Sequence, residues 1–154
     1  MNWDDLKHLA SVSRTPPYHA DEAIHARFMD GYRLFALKAA ERMVSFAWVG
    51  LRPDQWVSEV DVVLAASPIS LWIIDCVTPR EHRGHGYYPR LLQHIVRDAD
   101  GRRTFIYCDE NNKASRRGIE KAGFIPLLTM ASQFGRLTSI ALHPEAAVLS
   151  VKRK

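Results

Sequence analysis

The segment from Leu71 to Leu92 constrains this chain more than any other. Leu71-Trp72-Ile73-Ile74 and Cys76-Val77 make an apolar run of strand length. Thr78-Pro79 closes it, because proline fixes φ and has no N–H to donate. Leu91, Leu92, Ile95 and Val96 then recur at helical spacing. Between the two elements lies Arg83-Gly84-His85-Gly86. Glycine lets the backbone turn sharply. A helix N-terminus offers unpaired N–H groups and a partial positive charge. A strand, a glycine-rich turn and a helix in this order predict a site for an anion such as a pyrophosphate.

Two familiar phosphate loops do not fit. A dinucleotide fingerprint needs a third glycine where this chain has Pro89. A P-loop needs Gly-Lys-Ser/Thr, and no such triplet follows. On the glycines alone, a plain strand-to-helix turn fits equally well.

A second segment adds to the first. Thr104-Phe105-Ile106-Tyr107-Cys108 reads as another short strand, followed by Asn112 to Phe124. Asn112 is placed to cap a helix and Gly123 to stop it. Strand, phosphate-type loop, helix, strand, Asn-capped helix and Gly-Phe, in that order, resemble the GNAT superfamily of acyl-CoA N-acyltransferases. The family loop [RQ]-x-x-G-x-[GA] falls on Arg83, Gly86 and Tyr88, and the later element on Asn112, Ser115, Gly123 and Phe124. The resemblance spans Ser70 to Phe124. It implies an α/β fold, with a central mixed sheet flanked by helices, and acetyl-CoA as co-substrate.

The resemblance also implies site roles. Backbone at Cys76 and Val77 would bond the pantetheine arm, in a gap where two strands splay. Backbone N–H groups at Arg83, Gly84, His85, Gly86 and Tyr88 would hold the pyrophosphate. Asn112 and Ser115 would line the other side of the arm. Two residues depart from the pattern. Tyr88 stands where the family has a small residue, so its side chain is expected to point away from the phosphates. Pro89 is tolerated in a first helical turn. Ile119 stands where many members carry a tyrosine that protonates the departing thiolate.

The chemistry sets modest demands. An amine acceptor with a pKa of about 10.4 must lose a proton before attack. Glu59, Asp61 and Asp75 are the carboxylates that could take it, directly or through water. The leaving thiol has a pKa of about 8.5, so water can serve as its acid. Tyr107 is the phenol that could replace the missing tyrosine, although a half-buried strand tyrosine explains it as well. Cys76, His82 and His85 match no compact zinc spacing, so no metal is expected.

Composition fits a small enzyme. The chain has 154 residues, with 47% hydrophobic and 25% charged, which suits one domain over residues 1–154. No apolar stretch reaches membrane-spanning length. Met1 to Asp5 is acidic, unlike the start of a signal peptide. Two cysteines do not make a disulfide framework, so a cytoplasmic location is expected. The net charge of +4 suits an anionic ligand. The basic residues are scattered apart from Lys152-Arg153-Lys154, which reads as a solvated tail, not a nucleic-acid surface.

The remaining elements follow from periodicity. Helices are expected at Trp3–Leu9, Asp21–Met29 and Arg90–Asp98, with a loop at Ser13–Pro17. Strands are expected at Leu34–Leu37 and Met43–Val49, joined by a turn at Ala40-Glu41-Arg42. Gln55–Ala66 reads as strand, and Leu127–Ala131 and Leu137–Leu142 as closing strands. Trp48, Trp56 and Trp72 are expected in the core. The reading is acetyl transfer from acetyl-CoA to a primary amine of a small molecule, by direct attack in a ternary complex. Tyr88-Pro89 with Arg117 to Phe124 looks like small family members associated with sugar modification, which points to an amino sugar. The competing reading is a catalytically inert acyl-CoA-binding module acting as sensor or partner subunit, favoured by Ile119. A homo-oligomer is compatible with either.

Overall fold

The computed structural model describes residues 21–134 and 136–153. The helix expected at Trp3–Leu9 and the loop at Ser13–Pro17 lie outside them. In chain order the elements are α1 (Asp21–Met29), β1 (Arg33–Ala39), β2 (Arg42–Leu51), β3 (Asp54–Val57), β4 (Val62–Ala65) and β5 (Leu71–Val77). After a 3₁₀ turn at Arg80–His82 come α2 (Tyr87–Asp98), β6 (Thr104–Ile106), α3 (Lys113–Lys121), β7 (Leu128–Gln133) and β8 (Arg136–Leu142). A second 3₁₀ turn, Pro144–Val148, leads into β9 (Ser150–Arg153).

The central sheet has the order β1-β2-β5-β6. β1/β2 and β2/β5 are antiparallel, and β5/β6 is parallel, so the sheet is mixed as expected. The β1–β2 turn places Ala40 and Glu41 at φ of 46° and 65°. Two consecutive left-handed residues are what a tight hairpin requires. Here the pairing of long flanking strands imposes that geometry on residues that do not favour it.

Alternation along the strands builds two cores. Phe35, Ala47, Val49, Leu71 and Ile73 face α2, where Leu91, Leu92 and Ile95 cover them. Each of these three side chains contributes roughly 1.5–3 kcal/mol by leaving water. The opposite face packs Met43, Phe46 and Trp48 against Ile24 of α1. Trp72 joins Phe105, Val57, Val62 and Leu64 in a third cluster.

Four sequence expectations change, the first at β6, which stops at Ile106 where the sequence predicts a strand to Cys108. Gln55–Ala66 is not one strand but a hairpin, β3 and β4, turning near Ser58 to Asp61. The basic tail is not simply solvated, because Lys152 and Arg153 belong to β9, which pairs with β4. Backbone pairing recruits this segment while Lys152 itself stays exposed. Trp56 is 47% exposed, against 3% and 1% for Trp48 and Trp72. It sits on the open face of a short hairpin, and its indole N–H donates to Asp61 at 3.2 Å.

Candidate active site

The site begins where the central sheet opens. β5 and β6 pair only at Leu71/Thr104, Trp72/Phe105 and Ile73/Ile106. β5 continues to Val77, while the chain after Ile106 leaves the ladder. From Ile74 to Val77, β5 therefore has a strand neighbour only on the β2 side, among the described residues. A gap opens beside Cys76 and Val77, as the family resemblance implied.

A bulge decides which side chains face that gap. Phe46 pairs with Val77, but Trp48 pairs with Ile74. One residue of β2 thus opposes two of β5, and Asp75 takes a φ of 46°. An extra residue shifts the alternation by one position. Ile74 and Val77 pack toward α1, whereas Cys76 turns to the α2–α3 side.

The loop hangs from the end of β5. The buried Ser45 hydroxyl donates to the Val77 carbonyl at 3.2 Å and lies 2.8 Å from the Thr78 hydroxyl. The Arg83 side chain donates to the Thr78 carbonyl at 3.0 Å. Arg83 also commits its own N–H to the Arg80 carbonyl at 3.2 Å. Its contribution is thus to fasten the loop, unlike the backbone role expected for it. Gly84 and Gly86 have φ of 83° and 73°, a conformation other residues rarely adopt. Gly86 is the N-cap of α2, and the first N–H to bond within the helix is that of Arg90, to Gly86. The N–H groups at the start of α2 therefore point toward the loop with no intrahelical partner. His85 accompanies them: its Nδ1 lies 2.9 Å from the Arg83 carbonyl, and its ring stacks on Tyr87.

The other wall is α3. Asn112 caps it, its side-chain oxygen accepting from the Ser115 N–H at 3.1 Å. Gly123 ends it at a φ of 96°, with the Phe124 N–H bonded back to Ile119. Tyr88 reaches across from α2. Its ring lies on Gly118, where an added Cβ would come within 2.4 Å of it. Its hydroxyl is 3.1 Å from the Ser115 hydroxyl and faces the Cys76 thiol. Burial pushes the Cys76 thiol up to about 12 and raises the Tyr88 phenol as well. Cys108 also sits above its ordinary value, chiefly through desolvation, with Ser115 beside it. Both cysteines are free. Tyr88 thus points away from the loop, as expected. Gly118 was the missed residue: a glycine inside an amphipathic helix signals a close approach.

A sequence model described as the acetyltransferase (GNAT) family matches residues 3–124. The chain belongs to the GNAT acetyltransferase family. No curated protein sequence matches it significantly. Solved GNAT-fold structures resemble it at low identity. A chain from Agrobacterium tumefaciens assigned as an acetyltransferase is 18% identical, with a TM-score of 0.62 over 85% of this chain and 91% of that one. The ribosomal-protein-S18-alanine N-acetyltransferase of Escherichia coli is 16% identical, with a TM-score of 0.56 over 86% and 76%. AAC(6')-Iy, solved with a CoA-S-monomethyl-acetylneamine bisubstrate analog, is 20% identical, with a TM-score of 0.59 over 82% and 88%. This GNAT chain is therefore an acyl-CoA N-acetyltransferase whose acceptor is an amine.

The other candidates fall apart spatially. Glu59 and Asp61 lie exposed on the β3–β4 turn, outside the central sheet, although the Glu59 charge is still felt at Asp75. Tyr107 follows Phe105 onto the face of the third cluster, opposite Cys76 and Tyr88. Asp75 stays on β5, paired with the Arg27 guanidinium of α1, which also lies over the Trp48 and Tyr32 rings. Desolvation holds its carboxyl above the usual range, against the lowering effect of Arg27, and the Glu59 charge adds to the rise. An NMR titration of Asp75 should accordingly show a midpoint above the ordinary carboxylate value. Arg27→Met should move it further up, because the opposing charge is gone while most of the burial remains. A fall in that variant would contradict the assignment of causes.

Among the described residues, no helix is long and apolar enough to cross a membrane.

Proposed function

We propose that this single domain transfers an acetyl group from acetyl-CoA to a primary amine of a small molecule, with an amino sugar as the favoured acceptor. The observation that carries the reading is the β5/β6 gap, which ends at a glycine loop capping α2. A slot for an extended arm meets a set of N–H donors for its phosphates. Backbone at Cys76 and Val77 lies along the slot. Gly84, His85, Gly86 and Tyr88 present the loop N–H groups. Asn112 and Ser115 stand on the opposite wall.

The acceptor class rests on sequence and on one structural relative. Tyr88-Pro89 and Arg117 to Phe124 resemble family members associated with sugar modification, and the bisubstrate analog bound to AAC(6')-Iy contains acetylneamine. The amine attacks the thioester carbonyl directly while both substrates are bound. Asp75, the carboxylate on the strand bordering the slot, takes the amine proton through water. The two reduced cysteines suit a cytoplasmic enzyme.

Ile119 supports the second reading, an inert acyl-CoA-binding module. A panel of amino sugars, polyamines, amino acids and peptides, assayed with acetyl-CoA for thiol release, separates the two. Turnover should appear with at least one amino sugar, and its rate should rise with pH as the amine loses its proton. Acetyl-CoA binding with no release above background across the panel would favour the module.

A further inference from the structure

We propose that the Tyr88 hydroxyl donates a hydrogen bond to the thioester sulfur of the acyl donor and stabilises the leaving thiolate while keeping its own proton. The inference rests on the acetyl-CoA reading above. Four observations carry it.

The hydroxyl is in the right place. It lies between Cys76, on the strand that borders the slot, and Ser115, on the opposite wall, with Cys108 close by. It is also held there. The ring rests on Gly118, and any larger residue at 118 would displace it. The Ser115 hydroxyl lies 3.1 Å from the phenol oxygen and the Cys76 thiol is the phenol's other hydrogen-bond partner, so a donor sulfur entering the slot beside Cys76 would take over the phenol proton from that thiol. Ile119 packs into the core beside α2 and has no donor to offer. Tyr107 packs on the other face of the sheet.

Proton transfer is the less favourable use of this group. Burial makes the Tyr88 phenol a weaker acid than ordinary tyrosine, whose pKa is about 10. A thiol has a pKa of about 8.5, so the thiolate cannot hold a proton taken from this phenol. A fixed donor aimed at developing charge needs no transfer. In the step, the amine lone pair bonds to the thioester carbonyl carbon. The C–S bond then breaks, and sulfur keeps the electron pair. The amine proton passes through water to Asp75. The thiolate leaves hydrogen-bonded to Tyr88 and collects a proton from solvent.

The test needs no acceptor. The thiol of CoA bound to the protein is titrated by its thiolate ultraviolet absorbance, as a difference against unliganded protein, in wild type, Tyr88→Phe and Ser115→Ala. Tyr88→Phe should raise the bound thiol pKa by about one unit or more, the scale of one hydrogen bond to a charged group. Ser115→Ala should raise it less. An unchanged value in Tyr88→Phe with CoA still bound overturns the proposal. If Tyr88→Phe does not bind CoA, Ser115→Ala decides, and no rise there overturns it. If wild type itself does not bind CoA, the acetyl-CoA reading fails first and this inference with it. With a responsive amine, kcat of Tyr88→Phe should fall about tenfold with the shape of its pH profile intact. Loss of a basic limb in that variant would show that the phenol transfers its proton, against the proposal.

Discussion

Gly86→Val should fold and yet gain no thermal stability from acetyl-CoA. Wild type, with ligand at a hundred times its dissociation constant, should gain about 2.7 kcal/mol. The reason is conformational. Gly86 caps α2 at a φ of 73°, and an added Cβ would meet nothing within 4 Å. Space therefore does not forbid valine. The backbone does, because a left-handed residue with a β-carbon costs roughly 1–2 kcal/mol, and a β-branched one is the least suited to it. The chain escapes by rotating to an extended conformation, which turns the loop N–H groups away from their common focus. Without ligand the variant should lose about that 1–2 kcal/mol. Thermal unfolding with and without acetyl-CoA measures both effects. A wild-type shift in Gly86→Val would show that these N–H groups do not bind the ligand.

Gly118→Ala should destabilise the protein by about 1–3 kcal/mol, the usual range for overpacking a core. In an ordinary helix the same change stabilises by roughly 1 kcal/mol, so the sign itself is diagnostic. The new Cβ would lie 2.4 Å from the Tyr88 ring. Either the ring leaves its seat or α3 moves from α2. Combining it with Tyr88→Ala should remove the clash, so the double variant should be more stable than the sum of the single losses predicts. A coupling of at least 1 kcal/mol is expected for residues in direct contact. Urea denaturation of the four proteins gives the cycle. A stabilised Gly118→Ala would mean that the ring is not held on this helix.

The elements that carry the family resemblance were legible because their signals are local. A proline stop, two glycines, an Asn cap and a Gly-Phe helix end each act within one turn of chain. β5, α2, β6 and α3 accordingly lie close to where the sequence places them, with α2 starting three residues earlier, at Tyr87, and β6 ending at Ile106 instead of Cys108. The turn at Ala40-Glu41 was found from the apolar runs on either side, although its residues are poor turn formers. The less local parts were misread. The basic tail became β9 because β4 offered an unpaired edge. Trp56 became exposed because β3 and β4 form a small separate sheet.

The candidate site divides in the same way. Its loop half follows from backbone geometry that glycine and a helix start encode, so residue order alone determined where the turn lies. Its chemical half depends on side chains that meet from distant segments. Asp75 meets Arg27 across 48 residues, and Tyr88 meets Ser115 across 27. No periodicity reports such encounters. Nor does it report the bulge at Asp75, which turns Cys76 from the α1 face to the α2–α3 face. One extra residue in a strand reverses every side chain beyond it. That reversal, and the empty place left by Gly118, bring the Tyr88 hydroxyl to the slot. Sequence determined that this chain would form a glycine turn at the end of a buried strand. Only tertiary packing decided which hydroxyl stands beside Cys76 of that strand.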